Sequence, residues 1–214
     1  FLDLGYQPLA NSYLAKKDLK KKERKYRLVI CFNKINKLVS IKKTFSSKDM
    51  FNNKYPYRSS MSKTMRKSFK ELAYKLKKKI NPNKVLEIGS NDGSFLKHFN
   101  KKKTIGIEPC ANIEKLTKEK NFNTYSEYWT KKLAKKIFKK HNKVNLIYSA
   151  NTISHIKNLD EVFKAINIVL DNDGIFIIED PSLLECLKKN TYDQFYNEHI
   201  YVFSYTSLSN VLKK

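Results

Sequence analysis

The chain has 214 residues, with 44 Lys or Arg against 20 Asp or Glu and a formal net charge of +24. At 41% hydrophobic and 13% aromatic residues it is apolar enough to fold, yet it has no run of about 18 apolar residues, as a membrane span requires. Only four of the 44 basic residues are arginine and lysine is enriched throughout, so the charge favours attraction of anionic small molecules over specific binding of RNA or DNA.

The first 82 residues are predicted to form two lead-in segments. Residues 1–50 are lysine-rich and weakly patterned, with one predicted hairpin that pairs Tyr26–Cys31 with Leu38–Lys42. Residues 51–82 contain a Tyr/Ser-rich stretch, Tyr55–Ser62, followed by a helix predicted over 63–80. That helix is predicted from apolar residues at amphipathic spacing: Met65, Phe69, Leu72, Ala73 and Leu76.

From residue 83 to 214, predicted strands and helices alternate. The strands fall near 84–88, 103–108, 122–125, 144–149 and 174–179, and the helices near 94–99, 111–120, 130–141, 158–170 and 206–213. Such alternation predicts an α/β fold of the Rossmann-like type, with a mostly parallel sheet and helices on both faces. Ligands of such sheets bind beyond the carboxyl ends of the strands. The residues expected there are Gly89–Gly93, Glu108, Asn151 and Asp180.

The loop after the first of these strands is the strongest functional signal. Glycine is scarce, five in the whole chain, and two of the five enclose the loop Gly89–Gly93, so we expect positive φ or close approach of a ligand there. With a helix predicted from Ser94 to Phe99, the loop suits a nucleotide-like ligand. It is neither G-x-G-x-x-G, because Asn91 replaces the second glycine, nor a phosphate P-loop. A plain strand–turn–helix without a ligand is the alternative.

The next predicted strand ends in a carboxylate. Thr104–Pro109 places Glu108 about twenty residues after the glycine loop. Nucleoside-binding folds have an acidic residue there, which accepts hydrogen bonds from the ribose hydroxyls. The alternative is an ordinary solvated strand end. Two further segments carry polar side chains, Ile147–His155 and Asp193–Tyr201, and each has a structural alternative as a loop or core lid.

Five segments in one order resemble a known family: Leu4–Asn11, Tyr55–Ser62, Glu87–Gly93, Gly106–Pro109 and Tyr196–His199. The family is that of S-adenosylmethionine-dependent C-methyltransferases acting on nucleotide-linked keto-deoxysugars, which have a class I methyltransferase fold. The resemblance implies S-adenosylmethionine as cofactor and a nucleotide-linked sugar as substrate. The cofactor-binding residues it implies are Gly89, Ser90, Asn91, Asp92, Gly93, Glu108, Pro109 and Asn151.

The same resemblance implies a catalytic set around a histidine. The hydrogen beside a sugar ketone can be removed by a side-chain base, and the enolate then attacks the methyl group. His199 is expected to be that base because its imidazole titrates near neutrality. Glu198 is expected to orient it or to contact the sugar, while Tyr196, Tyr55 and Tyr57 donate to substrate oxygens. His155 is the second candidate for the base.

The departures from the family are informative. The family begins with a small zinc-binding domain with two cysteine pairs, whereas here Cys31 remains without a partner, since Lys34 stands in the partner's position. We therefore expect no metal, and we expect a fragment cut at both termini. Three separated cysteines without a C-x-x-C pair are typical of a cytoplasmic protein. Two other functions stay open: O- or N-methylation of a small molecule, and non-catalytic, basic nucleic-acid binding.

Overall fold

The computed structural model describes residues 1–213, which form two compact units. The parallel-sheet unit comprises residues 51–152 and 160–179. The antiparallel-sheet unit comprises residues 1–50, 153–159 and those from 180 onward. Among the residues described, no helix is both long and apolar enough to cross a membrane.

The strands and helices alternate along most of the chain. The strands are β1 (Leu2–Gln7), β2 (Tyr26–Phe32), β3 (Val39–Ile41), β4 (Val85–Ile88), β5 (Thr104–Ile107), β6 (Thr124–Tyr125), β7 (Val144–Ala150), β8 (Leu170–Glu179) and β9 (Tyr201–Val202). The α-helices are α1 (Ser47–Met50), α2 (Lys63–Lys79), α3 (Ala111–Glu119), α4 (Lys131–His141), α5 (Leu159–Val169), α6 (Leu183–Lys189) and α7 (Tyr205–Leu212).

The parallel-sheet unit is built on five strands in the order β6-β5-β4-β7-β8, all parallel. Ile88, the last residue of β4, pairs with Ile107 of β5 and with Ser149 of β7. The chain segments that follow these three strands therefore leave the sheet at the same edge. This register brings the glycine loop, Glu108 and Asn151 to one end of the sheet.

Both faces of this sheet are covered, which explains why all four residues of its central strand, Val85–Ile88, are buried. Val85 packs in a cluster with Phe69 of α2 and with Phe95 and Tyr148. Leu86 is fully buried as well, and alternate strand residues point to opposite faces. A strand buried on two faces is typical of helices packed on both sides of a parallel sheet. The predicted α/β fold class is confirmed.

The antiparallel-sheet unit has four strands in the order β1-β2-β3-β9. The predicted hairpin of β2 and β3 is confirmed, with Ile30 opposite Ile41. Strands β1 and β9 were not predicted, because β1 is interrupted by Gly5 and β9 has only two residues. One face of the sheet contributes to an apolar cluster of Leu28, Ile30, Val39, Ile41, Cys186, Ile200 and Val202.

One predicted element is wrong. The helix expected from Ser94 to Phe99 is a single 3-10 turn, Leu96–His98. Directly after it, the Asn100 side chain accepts a hydrogen bond from Lys102 N–H and starts another turn, Lys101–Lys103. The 3-10 turn and the turn capped by Asn100 occupy the segment in place of the predicted α-helix. The glycine loop therefore does not lead into an α-helix N-terminus.

Candidate functional site

The loop after β4 has a backbone that depends on its glycines. Gly89 has φ +74° and Gly93 has φ +75°, in the left-handed region that glycine adopts without strain. A Cβ at Gly89 would also overlap the Thr152 side chain, whereas one at Gly93 would lie 3.4 Å from the Phe122 ring. The expectation of positive φ is confirmed, and at Gly89 the space is needed as well.

Glu108 joins the end of β5 to this loop. Its side chain is only 5% exposed. Its Oε2 accepts a hydrogen bond from Asn91 N–H at 3.0 Å, and its Oε1 accepts one from Cys110 N–H at 2.8 Å. Burial raises the pKa of Glu108, while the two N–H donors act against the increase. The Cys110 side chain also forms a hydrogen bond with this carboxylate. The solvated strand end is therefore the wrong interpretation, because the partners of Glu108 belong to the protein.

The Tyr/Ser-rich segment is tied to the loop through its backbone. The Asn91 side chain accepts from Ser59 N–H at 2.8 Å and donates to the Tyr57 carbonyl at 3.2 Å. Asp92 Oδ2 accepts from Ser60 N–H at 3.2 Å. The Tyr55 carbonyl accepts from the side chain of Asn112. Tyr55 and Tyr57, expected as phenolic donors, thus have their backbone in contact with the loop or α3.

Three carboxyl groups are buried around the loop. Glu87 in β4 is 2% exposed, and Asp92 and Glu108 are also buried. Burial raises the pKa of Glu87 well above its usual value, and the charges of Asp92 and Glu108 act in the same direction. Like charges at close range cannot all ionise. Glu87, the first residue of the segment Glu87–Gly93, is therefore a carboxyl whose protonated form is favoured by the folded protein.

The remaining predicted cofactor-binding residues differ in what they present. Asn151 follows β7 with φ +49°, and its N–H donates to the Glu179 carbonyl at 2.7 Å. Ser90 is buried with its hydroxyl against Gly106, and its N–H donates to the Ile107 carbonyl. Pro109 is partly buried directly after Glu108. Ser90 therefore holds the loop on β5.

Three of the predicted catalytic residues, Tyr196, Glu198 and His199, belong to the antiparallel-sheet unit, whereas Tyr55 and Tyr57 belong to the parallel-sheet unit. His199 is 5% exposed, and its two ring nitrogens each have a partner. Nδ1 lies 2.9 Å from the Gln194 carbonyl oxygen, and Nε2 lies 3.0 Å from the Tyr196 hydroxyl. Burial lowers the pKa of His199, so the imidazole is neutral near pH 7. The structure thus brings His199 and Tyr196 together as expected.

Glu198 and its neighbour Asn197 are also buried in this unit. Glu198 Oε1 accepts a hydrogen bond from the side chain of Asn11 at 3.0 Å. The Nδ2 of Asn197 has no hydrogen-bond partner within residues 1–213. Asn11 lies in the first of the five segments that carry the family resemblance, and its partner lies in the last. This bond joins two of these segments across 187 residues of the chain.

His155 stacks on His199 in the same unit. Their ring centroids are 5.0 Å apart, with an angle of 35° between the planes. Burial, and secondarily the charge of His199, lower the pKa of His155 to about 3. An imidazole with so low a pKa is a weak base, since efficient general bases have pKa values near the working pH. Beside it, the Ser154 hydroxyl donates to Asp180 at 2.7 Å.

The cysteines are all free thiols. Cys31 lies in β2 and is partly exposed, while Cys110 and Cys186 are buried. Within the described part of the chain, no group of three or more His, Cys, Asp or Glu side chains could hold a metal ion.

A family model described as a methyltransferase domain matches residues 57–214. The chain is also similar to C-methyltransferase NovU of Streptomyces niveus, with 30% identity over 131 residues. That match covers 60% of this chain and 31% of NovU, so the chain spans about a third of the length of this curated relative.

Three solved structures have a similar fold. One is a methyltransferase of Thermotoga maritima described as a possible histamine N-methyltransferase (15% identity, 68% of this chain, 69% of that chain, TM-score 0.51). Another is the plantazolicin methyltransferase BamL in complex with a triazolic desmethylPZN analog and SAH (17% identity, 72% of this chain, 63% of that chain, TM-score 0.54). The third is a putative O-methyltransferase of Nostoc punctiforme (20% identity, 71% of this chain, 51% of that chain, TM-score 0.53). At these identities the likeness shows the fold alone. Because the family model covers most of the chain, including β4, β5 and the loop between them, the protein belongs to the methyltransferase domain family.

Proposed function

We propose that the protein is an S-adenosylmethionine-dependent C-methyltransferase whose substrate is a nucleotide-linked keto-deoxysugar. The observation that carries the cofactor assignment is the hydrogen bond from Asn91 N–H to Glu108, which makes the glycine loop and the carboxylate one structure. The similarity to C-methyltransferase NovU supports transfer to carbon.

The residues at the loop fit this cofactor. Glu108 has lone pairs for ribose hydroxyls, and Gly89 and Gly93 allow close approach to the backbone. Asp92 adds a carboxylate beside the loop, which suits a ligand with positively charged groups. Asn151 serves the methionine end, and Ser90 and Pro109 hold the loop and the strand end in place. When bound, S-adenosylmethionine supplies the methyl group on a positively charged sulfur.

The chain's other residues supply the base. His199 is buried and neutral, so it can accept a proton near pH 7, whereas His155 is too weakly basic for this role. Glu198 orients the base or contacts the sugar, and Tyr196, Tyr55 and Tyr57 donate to the sugar's oxygens.

The cofactor assignment is tested by calorimetry with S-adenosylhomocysteine. Glu108→Ala should weaken binding at least about tenfold, because a ribose hydroxyl loses a charged acceptor. The substitution also leaves two buried N–H groups without an acceptor, at about 1–3 kcal/mol each, so stability must be measured on the same samples. Glu114→Ala is the matched control, since Glu114 is equally buried but pairs with Lys118 on α3. Equal affinities in the two variants would refute the ribose assignment.

The substrate assignment is tested with the full-length protein. Candidate nucleotide-linked keto-sugars are incubated with methyl-labelled cofactor, and the products are analysed by mass spectrometry and NMR. Label on the carbon beside the ketone is expected. Label only on a hydroxyl or an amine would show O- or N-methylation and overturn the proposal.

A further inference from the structure

We propose that Tyr196 and His199 form a proton relay, in which the Tyr196 oxygen takes the proton from the substrate carbon and passes its own proton to His199. This inference rests on the proposed function and refines the assignment of the base. Tyr196, rather than His199, is then the residue that contacts the reacting carbon.

The hydrogen-bond partners fix where the protons lie. A carbonyl oxygen can only accept, so the contact between His199 Nδ1 and the Gln194 carbonyl requires the hydrogen on Nδ1. A neutral imidazole carries one hydrogen, so its lone pair is on Nε2. The Tyr196 hydroxyl, 3.0 Å from Nε2, must then be the donor. The basic lone pair of His199 is already occupied by the phenol.

Access leads to the same assignment. His199 is buried, with the ring of Tyr196 at 4.2 Å and that of His155 at 5.0 Å between centroids. Tyr196 is partly exposed. A substrate carbon can therefore reach the pair through the Tyr196 oxygen, whereas direct contact with Nε2 requires Tyr196 to leave its hydrogen bond.

The step is balanced in atoms and charge. The C–H bond breaks, its electron pair stays on carbon as the enolate, and the proton forms a new O–H bond on Tyr196. The original phenolic proton moves to Nε2, and the resulting imidazolium keeps its Nδ1–H on the Gln194 carbonyl. The Gln194 carbonyl and the charge of Asp193 both favour this cation. Bound S-adenosylmethionine would supply the methyl group to the enolate carbon and would keep the C–S electron pair on its sulfur. The proton of His199 returns through Tyr196 to water.

The two models differ in what Tyr196→Phe does. We measure exchange of the substrate's α-hydrogen with solvent, using the full-length protein with S-adenosylhomocysteine. The relay predicts a loss of about 10²–10⁴-fold in Tyr196→Phe, as large as in His199→Ala, with cofactor affinity retained. The double variant should lose little more than either single one, because the two groups act as a unit. Tyr192→Phe, an exposed phenol in the same segment, is the control.

If His199 removes the proton directly, the Tyr196→Phe variant should exchange the substrate's α-hydrogen with solvent at a rate within tenfold of the wild-type rate. That result would overturn the relay. A second measurement needs no variant. The phenolic proton exchanges with solvent, so the relay predicts slower loss of a tritium label from the substrate carbon in D2O than in H2O. Equal rates would also refute the relay. A wild-type protein that binds the cofactor but neither exchanges nor methylates this carbon would refute the proposed function itself.

Discussion

Replacing Glu87 by glutamine should stabilise the fold, and the gain should increase with pH. Glu87 lies in the centre of the parallel sheet, where one oxygen accepts Leu96 N–H and Oε2 has no hydrogen-bond partner within residues 1–213. Burial raises its pKa, so the folded protein keeps a proton that the unfolded chain loses above about pH 4.5. Glutamine has the same shape and accepts the same N–H, but has no proton to hold.

The sign and size follow from linkage. The pKa of this carboxyl is raised in the folded state, so its contribution to stability is complete below pH 4.5 and is lost as the pH rises. The loss is about 1.36 kcal/mol per pH unit and stops where the folded carboxyl itself ionises. Between pH 4.5 and pH 7 it can therefore reach no more than about 3.4 kcal/mol. That is a large part of the 5–15 kcal/mol that usually stabilises a domain.

Urea unfolding of both proteins between pH 4.5 and 8 measures this difference, with equal m-values as the condition for comparing them. Glu71→Gln on α2, whose side chain is exposed in the folded protein, is the matched control for the loss of a carboxyl group. A difference between Glu87→Gln and the wild type that stays constant with pH would refute the assignment of a protonated Glu87.

Three further outcomes are expected. The wild type should lose stability in urea unfolding as the pH falls from 6.5 to 5, because the pKa of His155 is lowered in the folded protein and the unfolded chain binds the proton more readily. His155→Gln should lose less stability over this range, and equal slopes of unfolding free energy against pH in the two proteins would contradict this. In thermal unfolding Gly93→Ala should cost about 1–2 kcal/mol through its positive φ, and Gly89→Ala more, since it also meets Thr152; the opposite order would be unexpected. Elemental analysis should find no stoichiometric zinc, and one zinc per chain would count against the expectation based on Cys31 and Lys34.

The parts of the site that could be predicted are those where the residue type itself is the signal. Gly89 and Gly93 are needed for their φ values, and Glu108 is needed for its carboxylate, so each leaves a trace in the sequence. The contacts of Ser59 and Ser60 with the loop leave none, because they use backbone N–H groups that most residues possess. The carbonyl of Gln194, which sets the tautomer of His199, is undetectable in the sequence for the same reason.

Two errors in predicting the fold from the sequence have a common physical origin. The helix predicted after Gly93 is absent because local turns determine the conformation of this six-residue segment. A hydrophobic periodicity carries little information over so few residues. Strand β9 exists only through pairing with β3, some 160 residues earlier in the chain, so its two residues have no pattern of their own. The longer strands and helices were predictable because their pattern of apolar residues recurs several times along each element.

The net charge and the buried carboxyls act on different ligands. The charge of +24 comes largely from lysines at exposed positions, whose field is screened within about 8 Å at physiological ionic strength. It therefore acts on any anionic ligand during approach. Glu87, Asp92 and Glu108 are removed from water, where a charge acts more strongly on a close neighbour. Burial raises the pKa of both Glu87 and Glu108, and the groups buried around the loop are acidic despite the basic chain. Composition alone would have predicted an anion at this loop, whereas its own residues favour a ligand that carries positive charge and hydroxyl groups.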